Sequence, residues 1–172
     1  MPISDELKKI YASAPSGQRY VEVLRFAHPG FQQTWLLCNE LQDDATPWNF
    51  KDENGQAFTA TFCPFQVTLP RHDSSGARQD MAVVLGNVDR LLMEELEAAQ
   101  AQPDVPITCT LLIYTNQAGS DPAADPIILS VADPVATLDT ITLTASRFDV
   151  LNRAFPATSE VYRIDRFPGL DR

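Results

Sequence analysis

Apolar and polar positions alternate along most of this chain. A period of two residues is typical of β-strands. Residues 19–26 follow this alternation, but they contain more apolar side chains than one buried face requires. This strand is therefore predicted to contact two apolar surfaces. Further strands are predicted at residues 34–38, 62–69, 81–85 and 105–114. The run at 81–85 is uniformly apolar and predicts a buried strand. The pattern therefore indicates a mainly β fold of short strands.

One segment, residues 88–101, follows the helical period instead. Its apolar residues recur at spacings of three and four and form one stripe: Val88, Leu91, Leu92, Leu96 and Ala99. Three glutamates, Glu94, Glu95 and Glu97, are predicted on the opposite, polar side. Asn87 is a suitable N-cap. We predict that this amphipathic helix braces a β core.

Local signals place a short helix and two hairpins elsewhere. Residues 4–13 predict a helix that Ser4 caps. Asn54-Gly55 is a strong signal for a tight hairpin turn. A second hairpin is predicted to turn at residues 132–134, where Asp and Pro follow an apolar strand.

The first of these hairpins lies in an acidic region. Residues 40–56 combine five acidic residues with one lysine around Trp48 and Phe50. The carboxylates lack the spacing of a calcium-binding EF-hand loop. Two interpretations stay open. The aromatic residues could fold back onto the core, or the hairpin, with Trp48 and Phe50, could dock against a basic rim of a neighbouring subunit.

Length and composition narrow the class of protein. The 172 residues suit a single domain, residues 1–172. The net charge of −10 argues against nucleic-acid binding through a basic face. We expect no membrane span, because no apolar run approaches the ~20 residues that a spanning helix needs. The N-terminal residues do not resemble a signal peptide, so we expect a protein that is made and assembled in a cytoplasm.

Candidate chemistry is sparse. Cys38, Cys63 and Cys109 form no CxxC motif and each lies in a strand-like run, so they are predicted to be buried, reduced thiols. The only histidines are His28 and His72, and no common catalytic or nucleotide-binding motif is present. We therefore predict no catalytic residues, no metal site and no cofactor.

A different class of function fits the composition as well. A small-ligand or carbohydrate-binding β domain would show a concave pocket lined by aromatic side chains such as Trp35, Trp48 and Tyr114. That pocket would distinguish a ligand-binding domain from a structural protein.

The C-terminal tail, residues 153–172, has no helical period and mixes arginine with aromatic and aliphatic residues. This combination is typical of interface hot spots. The residues expected to contact a partner are Arg163, Arg166, Phe167, Pro168, Gly169 and Leu170. The alternative is that the tail packs on its own domain.

Four motifs, in this order, resemble a family of short tailed-phage proteins. They are WLLCN at 35–39, PFQVTLP at 64–70, GNVDR at 86–90 and AFPATSEVYRIDRFPGL at 154–170. That family is catalogued as a domain of unknown function found among phage tail genes. The layout is also similar to the N-terminal hub part of the lambda-type minor tail protein L, through an aromatic strand that ends in CN and a late FPG turn.

The resemblance implies a β-sandwich or barrel akin to tail-tube modules, with a flanking helix. It implies a non-enzymatic component of a siphophage tail tip that joins the distal tail tube to the central tip or fibre protein. We expect its partners to be the distal tail protein and the central tip or fibre protein. We also expect the chain to form a homo-oligomeric ring, a trimer. This ring would be assembled in the host cytoplasm and carried in the virion. A distal tail protein of a six-fold ring is the alternative within this class.

One departure from the hub family concerns iron. Hub proteins carry a cysteine-rich C-terminal segment associated with an iron–sulfur cluster. Nothing like it follows Leu170, and the three cysteines of this chain do not replace it. We therefore expect no cluster.

Overall fold

A computed structural model describes residues 3–13, 17, 19–69, 80–86, 91–100, 102, 105–137 and 139–146. The two helices are α1 (Asp5–Ser13) and α2 (Leu91–Gln100). The ten strands are β1 (Tyr20–Ala27), β2 (Trp35–Cys38), β3 (Asn49–Lys51), β4 (Ala57–Thr59), β5 (Thr61–Phe62), β6 (Phe65–Thr68), β7 (Asp80–Gly86), β8 (Thr108–Thr115), β9 (Ile127–Ala136) and β10 (Thr140–Ser146). The fold is mainly β with two helices, as predicted. Among the described residues, neither helix has the length and apolarity to cross a membrane.

Eight strands form one mixed sheet in the order β5-β2-β1-β8-β9-β10-β7-β6. Its two end strands, β5 and β6, are separated in sequence only by Cys63 and Pro64. Because two residues span at most about 11 Å from one flanking Cα to the other, the two ends of the sheet must lie together. The sheet is therefore curled into a closed, barrel-like ring.

Hydrogen bonds on both sides of this link complete the closure. The Cys63 amide donates to the Cys38 carbonyl of β2 at 2.9 Å, and the Gly86 amide of β7 donates to the Pro64 carbonyl at 2.7 Å. Pro64 has no N–H to donate, so the ladder changes partner there. The single strand predicted at 62–69 is consequently divided into two short strands with different neighbours.

The interior of the barrel is filled by alternate residues of the surrounding strands. Leu24 of β1, for example, lies opposite Leu37 of β2 and Leu111 of β8. All three belong to one buried apolar cluster. The strand at residues 81–85 contributes only alternate side chains, because Val84 is 40% exposed. It was predicted to be buried throughout, and that prediction is wrong for its outer face.

Helix α2 adds Leu92, Leu96 and Ala99 to the same cluster, so the predicted brace is observed. Glu94 and Glu97 are exposed, as expected. Glu95 is not: it is 5% exposed. Its carboxylate accepts a hydrogen bond from the Gln32 amide at 2.9 Å, because the turn after β1 packs over that side of the helix. Asn87 and Val88 lie outside the described residues.

The second hairpin turns later than predicted. β9 continues to Ala136, through residues 132–134, and the turn lies between Thr137 and Thr140. The pairing shifts register, with Ala132 opposite Thr144 and Val135 opposite Thr142. A proline is tolerated in such a bulge because its missing N–H costs no ladder bond there. The Thr140 amide donates to the Thr137 hydroxyl at 3.0 Å and fixes the actual turn.

The N-terminal helix and the first hairpin agree with the sequence patterns. The Leu7 amide donates to the Ser4 hydroxyl at 3.2 Å, which is the predicted cap of α1. β3 and β4 pair on either side of Asn54-Gly55. The C-terminal tail and its predicted contacts lie outside the described residues: Arg163, Arg166, Phe167, Pro168, Gly169 and Leu170.

Closure of the barrel leads to a prediction for Gly86→Ala. A Cβ at Gly86 would lie 2.8 Å from Pro64 Cγ and 3.4 Å from the Pro64 carbonyl oxygen. The proline ring cannot rotate away, so we expect the variant to lose about 1–3 kcal/mol of unfolding free energy. Urea unfolding measures this, with Ala82→Ser on the exposed side of the same strand as the control. Wild-type stability of Gly86→Ala would contradict the close contact at the seam.

The buried positions of all three cysteines agree with the sequence prediction. Burial raises the pKa of the Cys109 thiol to about 12 and that of Cys38 to about 11. Because the thiolate is the reactive form, we expect a thiol reagent to label the folded protein slowly and all three cysteines quickly in urea. Rapid labelling of one equivalent in the native state would contradict this burial.

Candidate binding cleft beside the acidic hairpin

The outer side of the barrel at β1 and β8 has an apolar half and a polar half. In the apolar half, Val21 lies opposite Tyr114 and Val23 lies opposite Leu112. The β3–β4 hairpin covers these four residues and forms a second buried apolar cluster with them. The two-sided burial predicted for residues 19–26 is therefore observed.

The centre of this second cluster is an aromatic stack. The Phe50 ring lies between the rings of Tyr114, at 4.2 Å, and Trp48, at 5.3 Å, with interplanar angles of 15° and 10°. The Tyr114 hydroxyl donates to the Lys51 carbonyl at 2.8 Å. Burial raises the pKa of Tyr114 above its ordinary value. The stack fastens the hairpin to the barrel wall.

This packing decides between the two interpretations of the acidic hairpin's aromatic residues. Phe50 is 0% and Trp48 is 5% exposed, so both fold back onto the core. Neither presents a surface that could dock on a neighbouring subunit, in contrast to the interface role considered for them. Tyr114 is also fully buried. Trp48 and Tyr114 therefore do not line the pocket expected for a carbohydrate-binding domain.

The polar half of the same outer side forms a cleft. Here Arg25 lies opposite Thr110 and Ala27 lies opposite Thr108. At these positions a cleft of about 530 Å³ lies between the hairpin and the barrel wall. Its lining residues are Arg25, Ala27, Thr34, Leu36, Asp52, Gln56, Ala57, Phe58, Thr108, Thr110 and Ile128. The cleft combines hydroxyl, charged and apolar groups.

A two-bond ion pair joins the hairpin turn to the wall of this cleft. Both terminal nitrogens of Arg25 donate to the Glu53 carboxylate, each at 2.7 Å. The two side chains are 23% and 29% exposed. The bond to Arg25 holds the pKa of Glu53 below its ordinary value of 4.5. The pair keeps the turn at residues 52–55 against β1.

This ion pair predicts a pH dependence of stability. The folded-state pKa of Glu53 lies below its unfolded value, so ionised Glu53 stabilises the fold above about pH 4.5. That contribution is lost as the pH falls through the folded-state pKa. We expect Glu53→Gln to reduce the loss of stability between about pH 7 and about pH 3, measured as the urea midpoint. Glu97→Gln, the same change on the exposed side of α2, should retain the wild-type profile. An unchanged slope in Glu53→Gln would contradict the pair.

A second, smaller pocket of about 360 Å³ lies where α2 meets the start of β2. Its lining residues are Gln32, Gln33, Trp35, Glu94 and Glu95. The Trp35 indole nitrogen is buried and has no hydrogen-bond partner among the described residues. Of the three aromatic residues predicted to line a pocket, Trp35 lines this one.

His28 has a structural role in the described part of the chain. Its Nδ1 accepts a hydrogen bond from the Gly30 amide at 2.9 Å, so the proton lies on Nε2, which donates to the Val105 carbonyl at 3.1 Å. Both ring nitrogens thereby fix the turn after β1. Within the same described residues, no group of three metal-ligating side chains is brought together.

Sequence patterns did not identify the cleft. Arg25 lies on the outer row of β1, but its partner Glu53 is 28 positions away and becomes adjacent only when the hairpin folds over the barrel. The one available signal was the change along β1 from valine at positions 21 and 23 to arginine at 25. This change from valine to arginine lies where the surface of β1 passes from the apolar cluster under the hairpin to the cleft.

The described residues define a closed β-barrel domain with a hairpin fastened to its outer side and a cleft beside the hairpin. Residues 6–159 match a family described as a domain of unknown function, DUF1833. The chain belongs to this family. A comparison with curated proteins found no match.

Proposed function

We propose that the protein is a structural component of a siphophage tail tip, a ring subunit between the distal tail tube and the central tip or fibre protein. The sequence motifs that resemble tailed-phage proteins suggest this class. The observation that carries the proposal is a broad outer side of the barrel that no described residue covers. A ring subunit needs such a surface, because ring contacts occupy much of each protomer.

This uncovered side is formed by β6, β7, β10 and β9, and we call it the open face. Gln66, Val84, Thr142 and Val135 lie side by side across these four strands. Val84 is 40% and Val135 is 59% exposed, and both flanking polar residues are exposed as well. Exposed valines in a polar surround are suited to a protein contact.

The open face and the hairpin side are opposite each other. Around the closed ring of eight strands, β1 is four steps from β7 by way of β2, β5 and β6, and three steps from β10 by way of β8 and β9. Closed rings with one subunit type use two different surfaces on each protomer. This barrel has two different surfaces: the open face, with its exposed valines, and the side that carries the acidic hairpin.

The test uses Val84→Lys combined with Val135→Lys in a phage that encodes this chain. We expect the variant to fold with little change in melting temperature, since both side chains are exposed, but to be excluded from particles, with tails that end without a tip. Ala98→Lys, an added charge on the exposed side of α2, is the control. Normal incorporation of the double variant into infectious particles would contradict the role of the open face.

Copy number separates the two assignments within this class. A trimer would fit the hub ring, and six copies would fit the distal tail protein alternative. Native mass spectrometry of the released tip assembly measures that number. A protein that stays monomeric in the presence of its tail neighbours would count against both.

A further inference from the structure

We propose that the cleft beside the acidic hairpin binds an extended, basic segment of a partner protein, which adds to the β3–β4 sheet as a third strand alongside β4. This site does not depend on the phage assignment, because it is defined by backbone hydrogen-bonding groups and local charge. Its lining residues differ from Gln66, Val84, Thr142 and Val135 of the open face, so the two surfaces can be tested separately.

The pairing of the hairpin shows which backbone groups of β4 are free. The Ala60 amide donates to the Trp48 carbonyl at 2.8 Å, and the Asp52 amide donates to the Gln56 carbonyl at 2.9 Å. In an antiparallel pair, hydrogen-bonded positions alternate with positions whose groups point outward. The backbone groups of Ala57 and Thr59 therefore point away from β3.

The two edges of this small sheet differ. On the β3 edge, the Lys51 amide donates to the Ser120 carbonyl at 3.1 Å and the Gly119 amide donates to the Asn49 carbonyl at 2.7 Å. The loop at residues 117–120 thus pairs with β3. On the β4 edge, no described residue pairs with the outward groups of β4. Such an edge is a template for a further strand.

The space for that strand is the cleft. Gln56, Ala57 and Phe58 line one side of it, and Thr110 and Ile128 line the barrel side. An added strand would lie about 4.8 Å from β4. Its alternate side chains would face the apolar groups of Phe58 and Ile128, the latter 60% exposed. The described molecule leaves this apolar surface in contact with solvent.

Charge indicates the chemistry of the partner. Of the five carboxylates at residues 40–56, Glu40 and Asp43 pair with Arg19 beside the start of β1, and Glu53 pairs with Arg25. The cation of the cleft, Arg25, is already neutralised by Glu53. Asp52 lies on the cleft lining, next to that pair. A segment with lysine or arginine at alternate positions would place a cation beside the Asp52 carboxylate and its apolar side chains toward the barrel, whereas an acidic segment would be repelled.

The probe is a synthetic peptide of about nine residues that alternates lysine with valine and threonine, long enough to extend past a short strand. Two matched peptides accompany it: one with glutamate for lysine, and one with the same sequence and N-methyl groups on alternate backbone amides. Binding is followed by fluorescence anisotropy. Amide hydrogen exchange at Ala57 and Thr59 reports strand addition directly.

We expect the basic peptide to bind and to slow exchange at both amides, and the N-methylated and acidic peptides to bind at least tenfold more weakly. Ala57→Pro removes one outward N–H at a position where an edge strand tolerates proline, and it should also weaken binding at least tenfold. Ala57→Ser keeps the N–H and should bind as the wild type.

Two results would overturn the proposal. Equal binding of the N-methylated peptide would show attraction by charge alone, without strand addition. Absence of binding by the basic peptide at millimolar concentration would show that the β4 edge is not a docking site. Both results come from peptide binding to the wild-type protein, so they hold even if Ala57→Pro proves unstable.

Discussion

Phe50→Ala is expected to destabilise the protein by about 3–5 kcal/mol. Phe50 is fully buried between the rings of Trp48 and Tyr114. Its removal would leave a cavity between two rigid aromatic rings, which cannot collapse to fill it. The ring contacts themselves would be lost in addition to the buried area. Urea unfolding followed by tryptophan fluorescence measures the change.

Lys51→Ala is the matched control, because Lys51 is the next residue of β3 and its side chain is exposed. Its hydrogen bonds to Tyr114 and Ser120 use the backbone carbonyl and amide, which the substitution keeps. We expect a change within about 0.5 kcal/mol. Similar losses in both variants would mean that the hairpin is not fastened through the aromatic stack.

Leu96→Ala has the second large expected effect, about 2–5 kcal/mol. Leu96 is 5% exposed and joins α2 to the apolar interior of the barrel. Glu97→Ala, one position along and exposed, should change stability by no more than about 0.5 kcal/mol. Thermal and urea unfolding of both variants give the comparison. Equal destabilisation would contradict the observed orientation of the helix.

The sequence predicted the elements whose signals are local. The valines and leucine of β1 alternate on two faces, and both faces are buried, one in the barrel and one under the hairpin. Asn54-Gly55 marked the hairpin because few other sequences fit so tight a turn. The stripe through Leu92, Leu96 and Ala99 marked the inner side of α2.

Features that depend on distant contacts were not predictable in the same way. The choice between a sandwich and a barrel depends on Cys63 and Pro64, because this link joins strands that pair with opposite ends of the sheet. No local pattern encodes which partners those strands meet. Pro134 suggested a turn, since proline is common in turns, but the bulge in β9 accommodates it within a strand.

The buried carboxylate of Glu95 is another feature that depends on a distant contact. Helical periodicity placed it among its acidic neighbours, and only the turn that begins at His28 brings the Gln32 amide to it. The Arg25–Glu53 pair likewise joins two segments that are separated in sequence. Candidate sites made of such long-range pairs require the fold before they can be recognised.

The measurement that most directly tests the tail-tip role is cryo-electron microscopy of tails from a phage that encodes this chain, with mass spectrometry of the same particles. We expect a closed ring of barrel-shaped densities between the tail tube and the central tip, with the open face of each barrel against a neighbouring subunit. Intact, infectious tails that lack this chain would contradict it.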